Sequence, residues 1–198
     1  EDMEALATAV ERHRGELKAI LFTHSHGDHL ADMSLLREAF DVPVWGSDYT
    51  AKSVPCQRVL TDGETLALGR QTWTVLITPG HHPGHICLFS EAGLVAGDML
   101  AGIGTILIPP HTGDMNEYLF QLERLKALKP HLVFPSHGPV VAIPDRLIDH
   151  YLSHRRARHA RVLEAVRNGA SQLVKIAEEA YADTPDAHPR LAVDQTLS

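Results

Sequence analysis

Residues 21–30 read LFTHSHGDHL and place three histidines and one aspartate within six positions, directly after a hydrophobic run. In an extended segment, residues i and i+2 project to the same side, so His24 and His26 can reach one ion together. The glycine that follows permits a tight bend, after which Asp28 and His29 face a different point in space. The stretch therefore predicts ligands for two adjacent metal ions, in preference to a solvated polar loop.

Three further clusters of polar residues follow apolar runs. The sequence TPGHHPGHI follows WTVLIT, AGDML follows LVA, and PSHGP follows LVF, so that His81, Asp98 and His137 each lie at the end of a predicted strand. Imidazole and carboxylate ligands fit zinc, and also iron or manganese. The first cluster also contains His82 and His85, and the residues alone do not decide which of its three histidines is a ligand.

Length and composition describe an ordinary globular protein. The chain has 198 residues, of which 44% are hydrophobic and 22% charged, and its net charge of -7 gives no general reason to expect a polyanionic partner. Its two cysteines, Cys56 and Cys87, form no C-x-x-C motif, which favours a reducing compartment, and we predict a cytoplasmic location. No apolar stretch approaches the roughly 20 residues that a membrane span needs, so we expect no membrane association.

Helical and strand-like patterns alternate along the chain. Short apolar runs broken by Gly and Pro predict four strands between Thr61 and Asp98, and Asp114 with Glu117 predicts a capped helix. This interleaving favours an α/β sandwich with helices outside the sheets. The remaining predicted elements are a helix before a break at Gly15, a strand near residues 18–23, a helix in ADMSLLREAF, strands in VPVWG and LVF, and helices from Pro144 onward.

The ligand clusters resemble those of the metallo-β-lactamase superfamily, whose five-part pattern is matched in order between residues 24 and 137. The resemblance implies an αββα sandwich and selects His81 from its cluster. TPGHHPGHI together with GD and SHG is similar to the group that contains glyoxalase II and β-lactamase-like protein 2, whereas true β-lactamases lack the aspartate that bridges the ions. The implied first site is His24, His26 and His81, and the second is Asp28, His29 and His137, with Asp98 bridging them.

The resemblance also implies the chemistry. Two divalent cations, zinc in preference to iron or manganese, would lower the pKa of a shared water, and the resulting hydroxide would attack a carbonyl carbon or phosphorus. Asp98 would bridge the ions, and Asp28 would also carry a proton to the leaving group. We expect Thr23 and His85 to orient imidazole ligands, and His82 to face the cleft or the solvent. Cys87 lies within a strand pattern and is predicted to be a core residue.

The C-terminal part carries a resemblance of its own. HYLSHRRARHARVLEAV is similar to the helix that follows the metal domain in the β-lactamase-like protein 2 group, and LVKIAEEAYADTP resembles the start of its winged-helix-like appendage. We therefore predict a metal-binding hydrolase domain over residues 1–143 and a helical tail over residues 144–198. The family's first strands have no counterpart here, so we expect the chain to be part of a longer protein.

The substrate is less well defined by the sequence. An ester or thioester is favoured, and the alternative is a single-strand-specific endoribonuclease. In that case a basic helix would contact the phosphate backbone, although pairing with nearby acids explains the same basic run. A non-hydrolytic diiron redox module is a third class, but no flavin site is evident, and the oligomeric state cannot be predicted. Tyr118 and His111 lie near the predicted site loops, where core packing or simple exposure explains them equally well. The candidate contacts for an anionic substrate are Arg155, Arg156, Arg158 and Arg161.

Overall fold

A computed structural model describes residues 2–12, 17–30, 32–184 and 186–198. The break predicted at Gly15 lies outside these ranges. The elements in chain order are α1 (Asp2–Arg12), β1 (Ile20–Leu21), α2 (Met33–Ala39), β2 (Val44–Gly46), a 3-10 turn (Thr50–Lys52), β3 (Arg58–Val59), β4 (Thr65–Leu68), β5 (Gln71–Ile77), β6 (Ile86–Ser90), β7 (Gly93–Gly97), α3 (Met115–Ala127), β8 (Val133–Pro135), α4 (Pro144–Arg167), α5 (Leu173–Ala180) and α6 (Pro189–Leu197).

The strands form two sheets. The first contains β1, β2 and β3, which are parallel to one another. The second has the order β4-β5-β6-β7-β8, in which every pairing is antiparallel except the last. Because β6 is antiparallel to both β5 and β7, these two strands run in the same direction. Strand β8 is parallel to β7, so β5, β7 and β8 all run the same way. Their carboxyl ends therefore meet at one edge of the sheet, which is where the polar clusters follow them.

Three hydrophobic clusters hold four layers together. Leu36 of α2 packs with Phe22 and Val44 against the outer face of the first sheet. A second cluster, which includes the fully buried Val75 and Ile86, fills the space between the two sheets. A third packs α3 and α4 against the second sheet, where Leu94 and other strand residues are fully buried. This arrangement confirms the predicted αββα sandwich, because each apolar face is covered by one neighbouring layer.

Local details differ from the sequence-based expectations. The strand predicted over residues 18–23 is only two residues long, and β3 was not predicted because two residues carry no periodicity. Asp114 caps α3 as predicted, accepting the backbone N–H of Glu117 at 3.0 Å. The reciprocal half of the capping box does not form, because the N–H of Asp114 donates to the carbonyl of Gly80 at 2.8 Å. The Glu117 carboxylate instead accepts from Gln121 Nε2 at 2.7 Å.

Helix α4 is shared between the sandwich and the tail. Its first half contributes Ile148, Tyr151 and Leu152 to the cluster beneath the second sheet. Helices α5 and α6 follow α4. Because α4 packs into the sandwich, the predicted domain division at residue 143 stays a prediction. Among the described helices, none combines the length and the apolar character that crossing a lipid bilayer requires.

Candidate metal centre

The first cluster of candidate ligands combines the loop after β1 with the loop after β5. One ligand atom from each of His24, His26 and His81 lies within 4.8 Å of the other two. His81 Nε2 is 2.9 Å from His26 Nδ1 and 3.3 Å from His24 Nε2. Three ring nitrogens therefore converge on one point, as the spacing of the first two residues and the resemblance together predict.

The second cluster combines two carboxylates with two imidazoles. Asp28, His29, Asp98 and His137 each contribute a ligand atom within 4.8 Å of the others. Asp28 Oδ2 is 3.4 Å from His29 Nε2 and 3.5 Å from His137 Nε2. The side chain of Asp28 remains 61% exposed and that of His137 48% exposed. This cluster is therefore the one that faces the solvent.

Asp98 joins the two clusters. Its Oδ2 atom lies 3.5 Å from His81 Nε2 in the first cluster and 3.3 Å from His29 Nε2 in the second. Its Oδ1 atom lies 3.5 Å from His137 Nε2. One carboxylate at the end of β7 therefore reaches ring nitrogens of both clusters, which is the position that a bridging ligand requires.

The donor atoms of both clusters fit divalent cations. His81 Nδ1 lies 2.7 Å from the carbonyl oxygen of Leu107, and since a carbonyl can only accept, Nδ1 carries the proton and Nε2 presents a lone pair to the cluster. Thr23 Oγ1 lies 3.1 Å from His24 Nδ1, so Thr23 is placed to orient that ring. Within the described residues, the buried atoms His29 Nε2 and Asp98 Oδ1 have no hydrogen-bond partner. Buried polar atoms without partners are the atoms that a bound cation would satisfy.

The electrostatics differ between the two clusters. Burial, with smaller contributions from neighbouring imidazoles, lowers the pKa of His24 far below its ordinary value. Burial also lowers the pKa of His26 and that of His81. Burial alone would lower the pKa of His29, but the Asp98 and Asp28 carboxylates outweigh it and raise that pKa. Burial opposes ionisation of Asp98, yet His29 and the neighbouring imidazoles lower its pKa. The first cluster is therefore neutral, and the carboxylate charge concentrates in the second.

His85 is held away from both clusters. Its Nε2 atom accepts the backbone N–H of Asp98 at 2.9 Å, so its Nδ1 atom carries the proton and donates to Thr78 Oγ1 at 2.8 Å. Complete burial lowers its pKa to about 3. Gly97 makes this contact possible, because its φ is +50° and a Cβ atom there would lie 2.5 Å from His85 Nε2. Its two hydrogen bonds go to Asp98 and Thr78 and not to an imidazole ligand, so His85 fixes the backbone of the candidate ligand Asp98, and its role in supporting the ligands stays a prediction.

His82 is a structural residue of the turn. Its Nδ1 atom accepts the backbone N–H of Gly84 at 3.1 Å, which leaves Nε2 to donate to Ser25 Oγ at 3.2 Å. The side chain is buried, and this burial lowers its pKa to about 4. The prediction that His82 faces the cleft or the solvent is therefore wrong. Its bond to Ser25 instead stabilises the segment that carries His24 and His26.

Three other residues considered from the sequence lie outside the clusters. Tyr118 is fully buried and donates its hydroxyl to the carbonyl of Met99 at 2.8 Å, so it is a core residue. His111 is exposed. Cys87 is also fully buried, and this burial raises its pKa to about 12, which agrees with its prediction as a packed thiol.

The basic run on α4 is mostly engaged within the protein. Arg155 and Arg158 are buried and donate to the carbonyls of Ile106 and Ala180. Their guanidinium groups thus bind the protein's own backbone, and contact of these two arginines with an anionic substrate stays a prediction. Arg156 pairs with Glu123 at 2.7 Å, and Arg161 pairs with Asp183. Both retain exposed surface, so their contact with a substrate stays a prediction.

The cleft above the clusters has one wall that the sequence did not reveal. It is lined by candidate ligands together with Thr105, Ile106, Leu107 and Pro109. This segment, TILIP, lies between β7 and α3 and carries no charged group that would have marked it as functional. Its backbone contact with His81 is visible only in the folded chain.

A sequence profile of the metallo-beta-lactamase superfamily matches residues 1–137. The chain belongs to this superfamily. Over 193 residues it is 26% identical to a beta-lactamase-like protein 2 homolog of Caenorhabditis elegans, covering 93% of this chain and 64% of the relative. It is 26% identical over 168 residues to the atrochrysone carboxyl ACP thioesterase of Aspergillus fumigatus, and this match covers 83% of this chain and 52% of the relative. It is 41% identical over 114 residues to the hydroxyacylglutathione hydrolase of Yersinia pestis, and this match covers 56% of this chain and 43% of the relative. The chain thus spans less than two thirds of the length of these relatives.

Solved structures of the superfamily show the same fold. A beta-lactamase domain protein from Burkholderia ambifaria has a TM-score of 0.80 at 24% identity, and the match covers 98% of this chain and 71% of that one. The match therefore includes the helical tail as well as the sandwich. TTHA1623, solved in a di-iron-bound form, has a TM-score of 0.60 at 28% identity, covering 72% of this chain and 81% of that one.

Proposed function

We propose that this chain is the core of a metal-dependent hydrolase with a dinuclear centre, zinc being the favoured metal. The observation that carries the proposal is the position of Asp98, whose two carboxylate oxygens reach His81 of one cluster and His29 and His137 of the other. The first ion would be held by His24, His26 and His81, and the second by Asp28, His29 and His137, with Asp98 shared.

Bound divalent cations would supply Lewis acidity that polarises a substrate carbonyl and lowers the pKa of a water molecule. The chain's own residues supply position and proton transfer. The half-exposed carboxylate of Asp28 lies at the mouth of the cleft, where it can accept the proton that the attacking water loses and return it to the departing oxygen or sulfur atom. His85 keeps the backbone of Asp98 fixed while this happens, because both of its ring nitrogens are hydrogen-bonded.

An ester or thioester is the substrate class that we favour. Apart from the candidate ligands and a glycine, the described residues lining the cleft are Thr105, Ile106, Leu107 and Pro109, and no lysine or arginine is among them. Such a wall suits an uncharged acyl group better than a phosphodiester chain. Two relatives point the same way, since their names are those of an acyl-carrier thioesterase and of hydroxyacylglutathione hydrolase.

We also propose a cytoplasmic location, on the cysteine content alone.

The test compares hydrolysis of an acyl thioester and of labelled single-stranded RNA by the zinc-loaded chain. Asp98→Asn and His24→Ala should abolish turnover without unfolding the protein. Asp149→Asn, which alters an exposed aspartate paired with Lys126, is the matched control and should remain active. We expect metal content near two ions per chain and loss of activity on chelation. Cutting of RNA alone would favour the endoribonuclease, and a coloured, iron-rich protein inactive on both substrates would favour the diiron module. Normal turnover by both site variants would refute the dinuclear mechanism.

A further inference from the structure

The segment that orients His81 is held by the helical tail. Residues 105–108 lie between β7 and α3 and belong to no strand. In α6, the Gln195 amide bridges this segment: its Nε2 atom donates to the carbonyl of Ile108 at 2.7 Å, and its Oε1 atom accepts the N–H of Ile108 at 3.2 Å. This pairing imitates a strand contact, although it comes from a side chain 87 residues away in the sequence.

Arg155 completes the same attachment from α4. Its Nη1 atom donates to Gln195 Oε1 at 2.7 Å, and its Nη2 atom donates to Thr105 Oγ1 at 3.3 Å and to the carbonyl of Ile106. The guanidinium group is buried, and no carboxylate is paired with it among the described residues. A buried cation that is bonded to backbone and amide oxygens fixes those oxygens strongly, because charge-assisted hydrogen bonds are the stronger kind.

Leu107 lies between Ile106, which Arg155 binds, and Ile108, which Gln195 binds. The carbonyl oxygen of Leu107 accepts the Nδ1 proton of His81 at 2.7 Å. We propose that Gln195 and Arg155 are positioning residues for His81: by fixing residues 105–108, the tail sets the tautomer and orientation of this ring. The metal-affinity part of the inference rests on the proposed function, whereas the orientation of His81 does not. The tail then acts on the His24, His26 and His81 cluster, and leaves the cluster of Asp28, His29 and His137 unaffected.

The experiment uses the whole chain with Gln195→Met, which keeps the side chain's length and removes its hydrogen bonds. The matched control is Thr196→Val on the same helix, because the Thr196 hydroxyl donates to the carbonyl of Ala192 at 2.8 Å within that helix and, among the described residues, makes no hydrogen bond to residues 105–108. Two readouts are taken. Long-range proton–nitrogen spectra of the metal-free protein report which nitrogen of His81 carries its proton, and competition with a chromophoric chelator reports the affinity for each zinc ion.

In Gln195→Met, we expect His81 to lose its single tautomer and one zinc ion to bind about tenfold more weakly, the lower end of the range typical for partners of metal-ligating histidines. The other zinc ion and the Thr196→Val variant should match the wild type. An unchanged His81 spectrum, or equal weakening of both ions, would overturn the inference. If Gln195→Met fails to fold, Gln195→Asn carries the same expectation, since its shorter amide cannot reach both backbone groups. If the wild type binds no zinc, the proposed function fails, and the His81 spectrum still decides this inference.

Discussion

The buried His85 offers a sharp test of how the site is built. Replacing it with Leu keeps much of its volume but leaves the backbone N–H of Asp98 without an acceptor and Thr78 Oγ1 without its donor. An orphaned buried donor costs about 1–3 kcal/mol and a lost hydrogen bond about 1 kcal/mol, so we expect the free energy of unfolding to fall by about 2–4 kcal/mol. Urea denaturation of the metal-free protein at pH 7, followed by circular dichroism, measures this difference.

Two comparison variants locate the effect. His85→Gln restores an acceptor for the N–H of Asp98 and should recover about half of the lost stability. Thr78→Val removes only the second hydrogen bond, although it also removes the Thr78 contact with Cys87 Sγ at 3.3 Å. If His85→Leu unfolds within about 0.5 kcal/mol of the wild type, the two hydrogen bonds do not stabilise the site and our account of His85 is incorrect.

Further predictions concern the backbone and the pH dependence. Gly97→Ala should lower the melting temperature more than Gly63→Ala: both positions have positive φ, +50° and +76°, but only at Gly97 would the new Cβ meet another atom, His85 Nε2 at 2.5 Å. Equal shifts in calorimetry would argue against that close contact. The metal-free protein should be less stable at pH 5 than at pH 7, because the unfolded chain takes up protons below pH 6.5 while burial holds the pKa of His82 at about 4 and that of His85 at about 3. His85 alone should lower the free energy of unfolding by about 2 kcal/mol between pH 6.5 and pH 5. His29 acts in the opposite sense, because its raised pKa stabilises the folded protein at low pH and this stabilisation is lost as the pH rises. Equal urea midpoints at pH 5 and pH 7 would contradict this.

Local patterns marked the polar clusters in the sequence, and the resemblance to the superfamily selected the ligands among them. His24 and His26 alternate along an extended segment, and Asp98 and His137 each follow an apolar run that forms a strand. Strand direction then brings these ends together, since β5, β7 and β8 run the same way in one sheet. The structure places all seven predicted ligands in two adjoining clusters.

The tertiary structure decided what the remaining polar residues do. The residues alone left three histidines of one loop open, and the folded chain shows how they differ. His81 faces the cluster, whereas His82 and His85 each have both ring nitrogens occupied by hydrogen bonds. The basic run on α4 gave no sign that Arg155 would be buried beneath residues 105–108.

The sequence by itself determined the residue types of the candidate metal centre and the alternation of helices and strands, because both depend on spacing over a few positions. Only the folded chain showed that His85 fixes Asp98 and that Gln195 reaches Ile108. Such contacts join residues far apart in sequence, and hydrogen-bond partners at that separation are chosen by packing rather than by any local pattern.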